Sequence, residues 1–242
     1  MSGHSKWSNI KHKKEKTDAQ KAKVFTKIGK EITIAVRESG PDPVSNTKLR
    51  DLIQKAKSLN VPNDNIERTI KKASGADAAN YEEIIYEGYG PSGVAVIVTT
   101  ATDNRNRTAS EMRHYFDKFG GNLGSSGCVS YLFSDKGLIV VLGENVEDED
   151  ALMECALEAG ADDILSEGEV FEIYTDPDAL YTVKDAIEAA GYEIESADID
   201  KIPSNYVSLT DENDIKYMNL LLEHLEDNDD VQDVYHNWEN CD

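Results

Sequence analysis

Apolar residues recur at helical spacing early in the chain. The first run consists of Phe25, Ile28, Ile32 and Val36. Its intervals of 3, 4 and 4 residues place these side chains on one face of an α-helix that begins near Asp18. Gly40 and the two prolines that follow it end this helix.

Two further helices are predicted before residue 76. One follows a Ser45 or Asn46 cap, and the other starts at residue 63 or 64 and ends near Gly75. Acidic and small residues at 76–82 then form a linker. Residues 18–76 therefore read as a three-helix domain, preceded by an arm at 1–17 that shows no apolar period.

Strand patterns begin after the linker. "EIIYEGYG" and "VAVIVTTAT" are predicted strands separated by a Pro-Ser-Gly turn. A helix is predicted from Asn104 to Phe119, and "GGNLGSSG" leads from it into a predicted strand "CVSYLF". Because this glycine-rich segment follows a helix and precedes a strand, it has the reverse order of a Walker or Rossmann phosphate loop, which favours a helix C-cap and a flexible connection.

The order of elements over 137–202 is strand, helix, two strands, helix and strand. This βαββαβ order is typical of a ferredoxin-like domain. A final set follows, with strands predicted at "NYVSL" and "VQDVYHNW" on either side of a helix, and it could complete the sheet begun near residue 83. We therefore predict a multi-domain α+β protein with two sandwich-type α/β domains: a discontinuous one at 82–134 plus 203–240, and the ferredoxin-like insertion at 137–202.

Composition excludes several classes of protein. The chain has 242 residues and a formal net charge of -22, and 39% of its residues are hydrophobic, as in a globular protein. We expect no transmembrane segment or secretory signal, because no apolar run is long enough. Three widely spaced cysteines without a C-x-x-C pair argue against a disulfide framework or a zinc site, and they favour the reduced cytoplasm.

The negative charge is distributed unevenly. Residues 1–72 hold 17 Lys and Arg against 8 Asp and Glu, a net charge of +9, whereas residues 73–242 hold 8 against 39, a net charge of -31. A basic segment in front of an acidic body is typical of proteins that bind a polyanion. We therefore expect the polyanion to meet the N-terminal part, although solvated Lys-rich tails are also common.

The candidate nucleic-acid-binding residues form two groups. Lysines of the arm and of the first helix can neutralise phosphates, histidines can donate hydrogen bonds, and the Trp7 ring can stack on a base. In "TDNRNRT", Asp103 or Asn104 could cap a helix whose N-terminal N-H groups and arginines suit phosphate, although a capped turn with paired arginines is an equal alternative. The predicted interface comprises His4, Lys6, Trp7, Lys11, His12, Lys13, Lys14, Lys16, Lys23, Lys27, Lys30, Asn104, Arg105, Arg107 and Arg113.

Signals for catalysis are weak. His114, His224 and His236 are isolated, and the sequence has no H-E-x-x-H or G-x-S-x-G motif. We expect no catalytic residue, metal site, cofactor or small-molecule substrate. An enzyme with its site in an interdomain cleft near Arg105 and Arg107 remains a third alternative.

Five segments together resemble the YebC family: "SGHSKWSNIKHKK", "IYEGYGPSG", "TDNRNRT", "GGNLGSSGCVSYLF" and "DDVQDVYHN". They run in order from Ser2 to Asn237. The resemblance implies a helical N-terminal domain and two α/β domains around a cleft, and it implies a non-enzymatic protein linked to nucleic acid. The positions that match the family motifs are Gly3, His4, Ser5, Lys6, Trp7, Asn9 and His12 in the arm and Asp103, Asn104, Arg105, Asn106, Arg107 and Thr108 in the second motif.

Members that the chain resembles are described as probable DNA-binding transcriptional regulators, as translation factors that relieve ribosome stalling at proline runs, and as a mitochondrial translational activator. The charge division and Trp7 favour a translation factor that binds ribosomal RNA. The alternative is a transcriptional regulator whose third helix, with Arg68, Lys71 and Lys72, reads DNA. The expected partner is thus the ribosome and its RNA, or DNA, and no membrane.

Overall fold

The computed structural model describes residues 18–75, 78–167 and 170–241. They divide into two compact units. The first consists of the described residues up to Tyr131 together with Val207–Trp238. The second consists of Leu132–Tyr206 and residues 239–241.

The first unit opens with three helices: α1 at Asp18–Ser39, α2 at Thr47–Ser58 and α3 at Asn63–Ala73. The predicted apolar face of α1 packs against α2 and α3, and Ile28, Ile32 and Leu49 are almost wholly buried in their shared core. The side chain of Asn46 accepts a hydrogen bond from the Leu49 N-H and so caps α2, as the sequence predicts. All three predicted helices are confirmed.

The remaining helices and strands alternate along the chain. In order they are β1 at Glu82–Tyr89, β2 at Ala95–Thr102, α4 at Arg105–Lys118, β3 at Asn122–Leu123, β4 at Phe133–Leu142, α5 at Glu149–Glu158, β5 at Asp163–Glu167, β6 at Val170–Thr175, α6 at Leu180–Ala189, β7 at Ile194–Pro203, α7 at Glu212–Asp227 and β8 at Val231–His236.

The first unit contains an antiparallel sheet of order β3-β1-β2-β8. The last strand, β8, pairs with β2, although more than 100 residues separate them in the chain. A shift of register between Thr99 and Thr100 ends the regular pairing, and the Ala101 N-H then donates to the Asp230 carbonyl oxygen at 2.8 Å. Helices α4 and α7 contact each other and the sheet, and Phe116 and Met218 are fully buried between these layers.

The second unit has the order β5-β6-β4-β7, with all neighbours antiparallel. This is the strand order of a ferredoxin-like fold, in which the first and third strands lie in the centre. Its core joins the sheet to α5 and α6 through fully buried residues such as Ile139, Leu152 and Ile187. The predicted multi-domain α+β class and the ferredoxin-like pattern are confirmed, whereas the predicted division into three domains stays a prediction.

Two predicted strands are wrong. "CVSYLF" is not a strand before Phe133, because the N-H groups of Val129 and Ser130 donate to the Glu87 carboxylate instead of a neighbouring strand. "NYVSL" makes only an isolated bridge between Val207 and Trp238. Both segments are rich in residues that favour strands, but the partners available to their backbone decide the outcome.

Candidate nucleic-acid interface

Eight predicted interface residues lie outside the described residues. They are His4, Lys6, Trp7, Lys11, His12, Lys13, Lys14 and Lys16. The other seven are described, and they occupy two elements: Lys23, Lys27 and Lys30 lie on α1, while the "TDNRNRT" residues and Arg113 lie at or on α4.

The lysines of α1 contact the C-terminal end of α7 and the connection that follows it. Lys23 Nζ lies 3.0 Å from Asp227 Oδ1, and Lys27 Nζ donates to the Glu226 carbonyl oxygen at 2.9 Å. The last carbonyl groups of a helix carry partial negative charge, so cations are stabilised there. These two lysines therefore attach α1 to α7 within the first unit.

Lys30 is buried, with a relative exposure of 8%. Its ammonium donates to Asp230 Oδ1 and to the Asp229 carbonyl oxygen, both at 2.8 Å, and to the Ala101 carbonyl oxygen at 3.3 Å. An ammonium has three donors, and all three are used. Lys30, a residue of the predicted interface, is thus not exposed, because the end of β2 and the α7–β8 connection cover this side of the helix.

The Asp230 carboxylate joins four segments of the first unit. Besides Lys30, its Oδ2 atom accepts from Arg107 at 2.6 Å, from Thr108 at 2.9 Å and from Thr102 at 3.1 Å. We call these five residues the Asp230 cluster. They come from α1, the end of β2, the first turn of α4 and the residue before β8, so the cluster fixes the helices against the sheet.

The pKa of Asp230 reflects this environment. Burial alone would raise it, but hydrogen bonds from Arg107, Lys30 and Thr108 outweigh burial and lower the pKa to about 2. The carboxylate is therefore ionised at neutral pH. It neutralises two of the cations that the sequence assigns to nucleic acid.

The "TDNRNRT" segment is largely built into this cluster. Asn104 caps α4, since its side chain accepts from the Arg107 N-H. The Arg107 guanidinium pairs with Asp103 at 3.0 Å as well as with Asp230. Arg105 and Arg113 are exposed, and neither has a hydrogen bond or ion pair with any other described residue. Of the four candidates near α4, these two arginines present free cationic groups.

Helix α3 carries three exposed cations that the predicted interface omits. Lys71 and Lys72 have no hydrogen bond or ion pair among the described residues, and Arg68 donates only to the Asn65 side chain. By contrast, Lys48 and Lys55 on α2 each approach two carboxylates. The signal in the sequence was the pair of adjacent lysines, Lys71 and Lys72, in the last turn of this helix.

Sequence reasoning also missed Glu87. It is 4% exposed within β1, and its carboxylate accepts from the N-H groups of Gly127, Val129 and Ser130 at 2.7 to 2.9 Å. Burial alone would raise the pKa of Glu87, but the hydrogen bonds from these backbone N-H groups outweigh burial. The pKa of Glu87 therefore lies below its usual range. The C-terminal end of the glycine-rich connection is therefore bound to a buried carboxylate.

The described residues contain no group of three or more His, Cys, Asp or Glu side chains that could hold a metal ion. Within the same residues, no helix is long and apolar enough to cross a membrane.

Two family models match the chain. The model of the TACO1/YebC protein N-terminal domain matches residues 5–76, and the model of the TACO1/YebC second and third domain matches residues 81–238. The chain belongs to the TACO1/YebC family. This membership confirms the resemblance seen in the five sequence segments.

TACO1/YebC relatives match over nearly their full length. A protein of Acetivibrio thermocellus is 57% identical over 239 residues, which is 98% of this chain and 99% of that protein. A protein of Ruminiclostridium cellulolyticum is 58% identical over 240 residues, or 99% and 97% of the two chains. Both are named probable transcriptional regulatory proteins.

A solved structure has the same fold. The crystal structure of a conserved hypothetical protein from Aquifex aeolicus, Aq1575, is similar with a TM-score of 0.83 and 51% sequence identity. The match covers 95% of each chain. In the present TACO1/YebC chain, the "TDNRNRT" segment and the "DD" that opens "DDVQDVYHN" meet in the Asp230 cluster. These two motif segments thus have a shared structural role.

Proposed function

We propose that this protein is a non-enzymatic, nucleic-acid-binding regulator of gene expression that acts as a ribosome-associated translation factor and relieves stalling at proline runs. The observation that carries the proposal is the exposed cations of α3, Arg68, Lys71 and Lys72. They have no carboxylate partner among the described residues, in a chain whose net charge is -22. Cations left free in so acidic a chain favour a polyanionic partner.

The basic arm supplies further cations for a polyanionic partner. Lys6, Lys11, Lys13, Lys14 and Lys16 precede α1 in the sequence. Each phosphate that a lysine neutralises releases counterions, which favours binding at low salt. We place the interface on the arm and α3, with Arg105 and Arg113 as further phosphate contacts, whereas Lys30 and Arg107 serve the Asp230 cluster.

RNA is the favoured nucleic acid. Trp7, with His4 and His12 close in the sequence, offers stacking and hydrogen bonding to unpaired bases, which RNA displays in loops and bulges. The net charge of -31 over residues 73–242 repels a long DNA duplex and suits a site lined by basic ribosomal proteins in the cytoplasm. The family resemblance supports relief of stalling as the activity.

A second candidate function is sequence-specific regulation of transcription. Helices α2 and α3 are joined by the short segment 59–62, in which Asn60 has a positive φ of 58°. A short turn between two helices, with cations exposed on the second, is the arrangement that helix-turn-helix proteins use to read DNA. The names of the two bacterial relatives also favour this function.

Sedimentation separates the two functions. The full chain is centrifuged with ribosomes across a salt series, and its binding to genomic DNA fragments is measured in parallel. We expect co-sedimentation at low salt that weakens as salt rises, with only weak, sequence-independent DNA binding. Absence from ribosomes at low salt, together with tight sequence-selective DNA binding, would contradict the translation function.

A further inference from the structure

A groove of about 280 Å³ opens between α1 and α3 within the first unit. Its floor consists of apolar side chains, among which Ile28, Ile32, Val61 and Ile66 are buried. Its rim carries Thr26, Asn65, Arg68, Thr69 and Lys72. The groove therefore joins an apolar floor to a polar rim that includes two of the free cations of α3.

Among the residues that the structure describes, none that lines the groove is acidic, although the chain contains 47 Asp and Glu. The Arg68 and Lys72 side chains supply only donors, and both are exposed. The Asn65 side-chain oxygen accepts from Arg68, which leaves its amide group as a donor. The Thr26 and Thr69 hydroxyls on the rim donate to carbonyl oxygens of their own helices, so the groove's distinguishing feature is its positive charge. A rim with two cations is complementary to a ligand with negative charge.

Phe25 contributes an aromatic ring to the wall of the groove. The ring is half-buried, so one part packs on the helical core and the rest remains accessible. Aromatic rings next to cations form the usual platform for nucleobases, because the base stacks on the ring while its phosphate meets the charge. The groove thus offers an aromatic ring to the base of a nucleotide and positive charge to its phosphate.

Gly29 keeps the groove open. It lies inside α1, where glycine is less favourable than alanine. A Cβ atom added there would meet only Thr69 Cγ2, at 4.0 Å, which is ordinary van der Waals contact. Helix packing therefore does not require glycine at this position, and a longer side chain would enter the groove.

We propose that this groove binds the base of an unpaired nucleotide in single-stranded RNA, with the flanking phosphates at Arg68 and Lys72. The base lies over the apolar floor beside Phe25, and its acceptor atoms face the Asn65 amide. The inference rests on the proposed function, since it names the part of the RNA that the first unit contacts. A volume of 280 Å³ suits a single nucleotide and not a folded RNA element.

The test combines two changes, one in the protein and one in the RNA. Gly29→Met fills the groove, and Gly29→Ala is the matched control, because it adds one methyl group and improves helix propensity. Each full-length variant is titrated with a single-stranded RNA oligonucleotide and with versions that carry one abasic nucleotide at successive positions. An abasic nucleotide keeps its phosphate, so it removes only the contact of the base.

We expect Gly29→Met to bind the intact RNA about tenfold more weakly than the unaltered chain, which is within the range for one stacked base. Gly29→Ala should bind as the unaltered chain does. One abasic position should weaken binding to the unaltered chain and leave binding to Gly29→Met unchanged. Circular dichroism and thermal unfolding show whether both variants retain the fold.

Other outcomes overturn the inference. If the unaltered chain and Gly29→Met bind every oligonucleotide equally, RNA binds elsewhere and the groove is not its site, while the proposed function stands. If every abasic substitution weakens RNA binding equally for the unaltered chain and for Gly29→Met, the groove is again not the RNA site and the proposed function stands. If no oligonucleotide and no ribosome binds to the unaltered chain, the proposed function and this inference both fail.

Discussion

Lys30 and Asp230 are 200 positions apart in the sequence, and their side chains form an ion pair of 2.8 Å from which solvent is almost excluded. The side chain of Lys30 is 10% exposed and that of Asp230 is 7% exposed. The pair joins α1 to the residue before β8. Closure of the first unit therefore depends on two charges that the sequence places near opposite ends.

Asp230→Asn should destabilise the protein strongly. Asparagine keeps most of the volume but removes the negative charge, which leaves the buried ammonium of Lys30 and the Arg107 guanidinium without their shared partner. Breaking a buried pair on one side costs roughly 3 kcal/mol or more of unfolding free energy. Urea unfolding followed by circular dichroism measures the difference.

The matched control is Asp227→Asn, which removes the same charge from an exposed pair. Lys23 and Asp227 have side chains that are 42% and 71% exposed, so this substitution should change the unfolding free energy by less than about 0.5 kcal/mol. Equal effects from the two substitutions would show that the Asp230 cluster does not stabilise the first unit.

The stability from Asp230 should be lost in acid. Its pKa is about 2 in the folded chain and about 3.9 in an unfolded chain, so the unfolded state binds the proton first as pH falls. The contribution is therefore complete above about pH 5 and declines toward pH 2. The difference in unfolding free energy between the unaltered chain and Asp230→Asn should shrink over this interval, and a constant difference would contradict the assignment.

Glu87→Gln should release the glycine-rich connection between β3 and β4. Glutamine offers one acceptor oxygen, whereas the carboxylate serves Gly127 with one oxygen and Val129 and Ser130 with the other. We expect a loss of about 2 kcal/mol and faster hydrogen exchange at these three amides. Glu82→Gln, at the exposed start of β1, is the control and should leave that exchange unchanged.

The basic arm should determine part of the salt dependence of RNA binding. Replacement of Lys11, Lys13 and Lys14 by alanine should lower the slope of log K against log salt by about 2 to 3 units, at roughly 0.7 to 0.9 per phosphate contact. Fluorescence anisotropy with a labelled RNA at several salt concentrations measures the slope. An unchanged slope would mean that these lysines do not meet phosphate.

The cations of α3 should behave in the same way. Arg68, Lys71 and Lys72 changed together to alanine should lower the slope by about 2 units. The control changes Lys136, Lys184 and Lys201, which also removes three positive charges, but each of these lysines pairs with a carboxylate in the second unit. If the control lowers the slope equally, net charge and not the α3 surface governs binding.

Local patterns predicted most of the helices, because caps such as Asn46 and Asn104 and the spacing of apolar residues lie within one segment. The strands β5 and β6 were likewise found from their own residues. The ferredoxin-like order followed from the succession of elements, since few arrangements connect them without crossing.

The predictions that failed concern residues whose hydrogen-bond partners lie far away in the sequence. Lys30 has the spacing of a solvent-exposed lysine, and only Asp230, 200 positions away, makes it a buried one. The "DNDD" segment that contains Asp230 has the composition of a solvent-exposed helix end. Val129 has high strand propensity, yet Glu87 on another strand takes its N-H group. No local pattern connects these residues.

The pairing of β8 with β2 has a consequence for synthesis on the ribosome. A chain grows from its N-terminus at about 5 to 20 residues per second, so α1 is complete many seconds before Asp230 is added. Until then Lys30 and Arg107 lack Asp230, their shared partner, and the nascent chain is more cationic on this side than the finished protein. The end of the chain that contains Asp230 and β8 thus neutralises Lys30 on α1 and also completes the sheet.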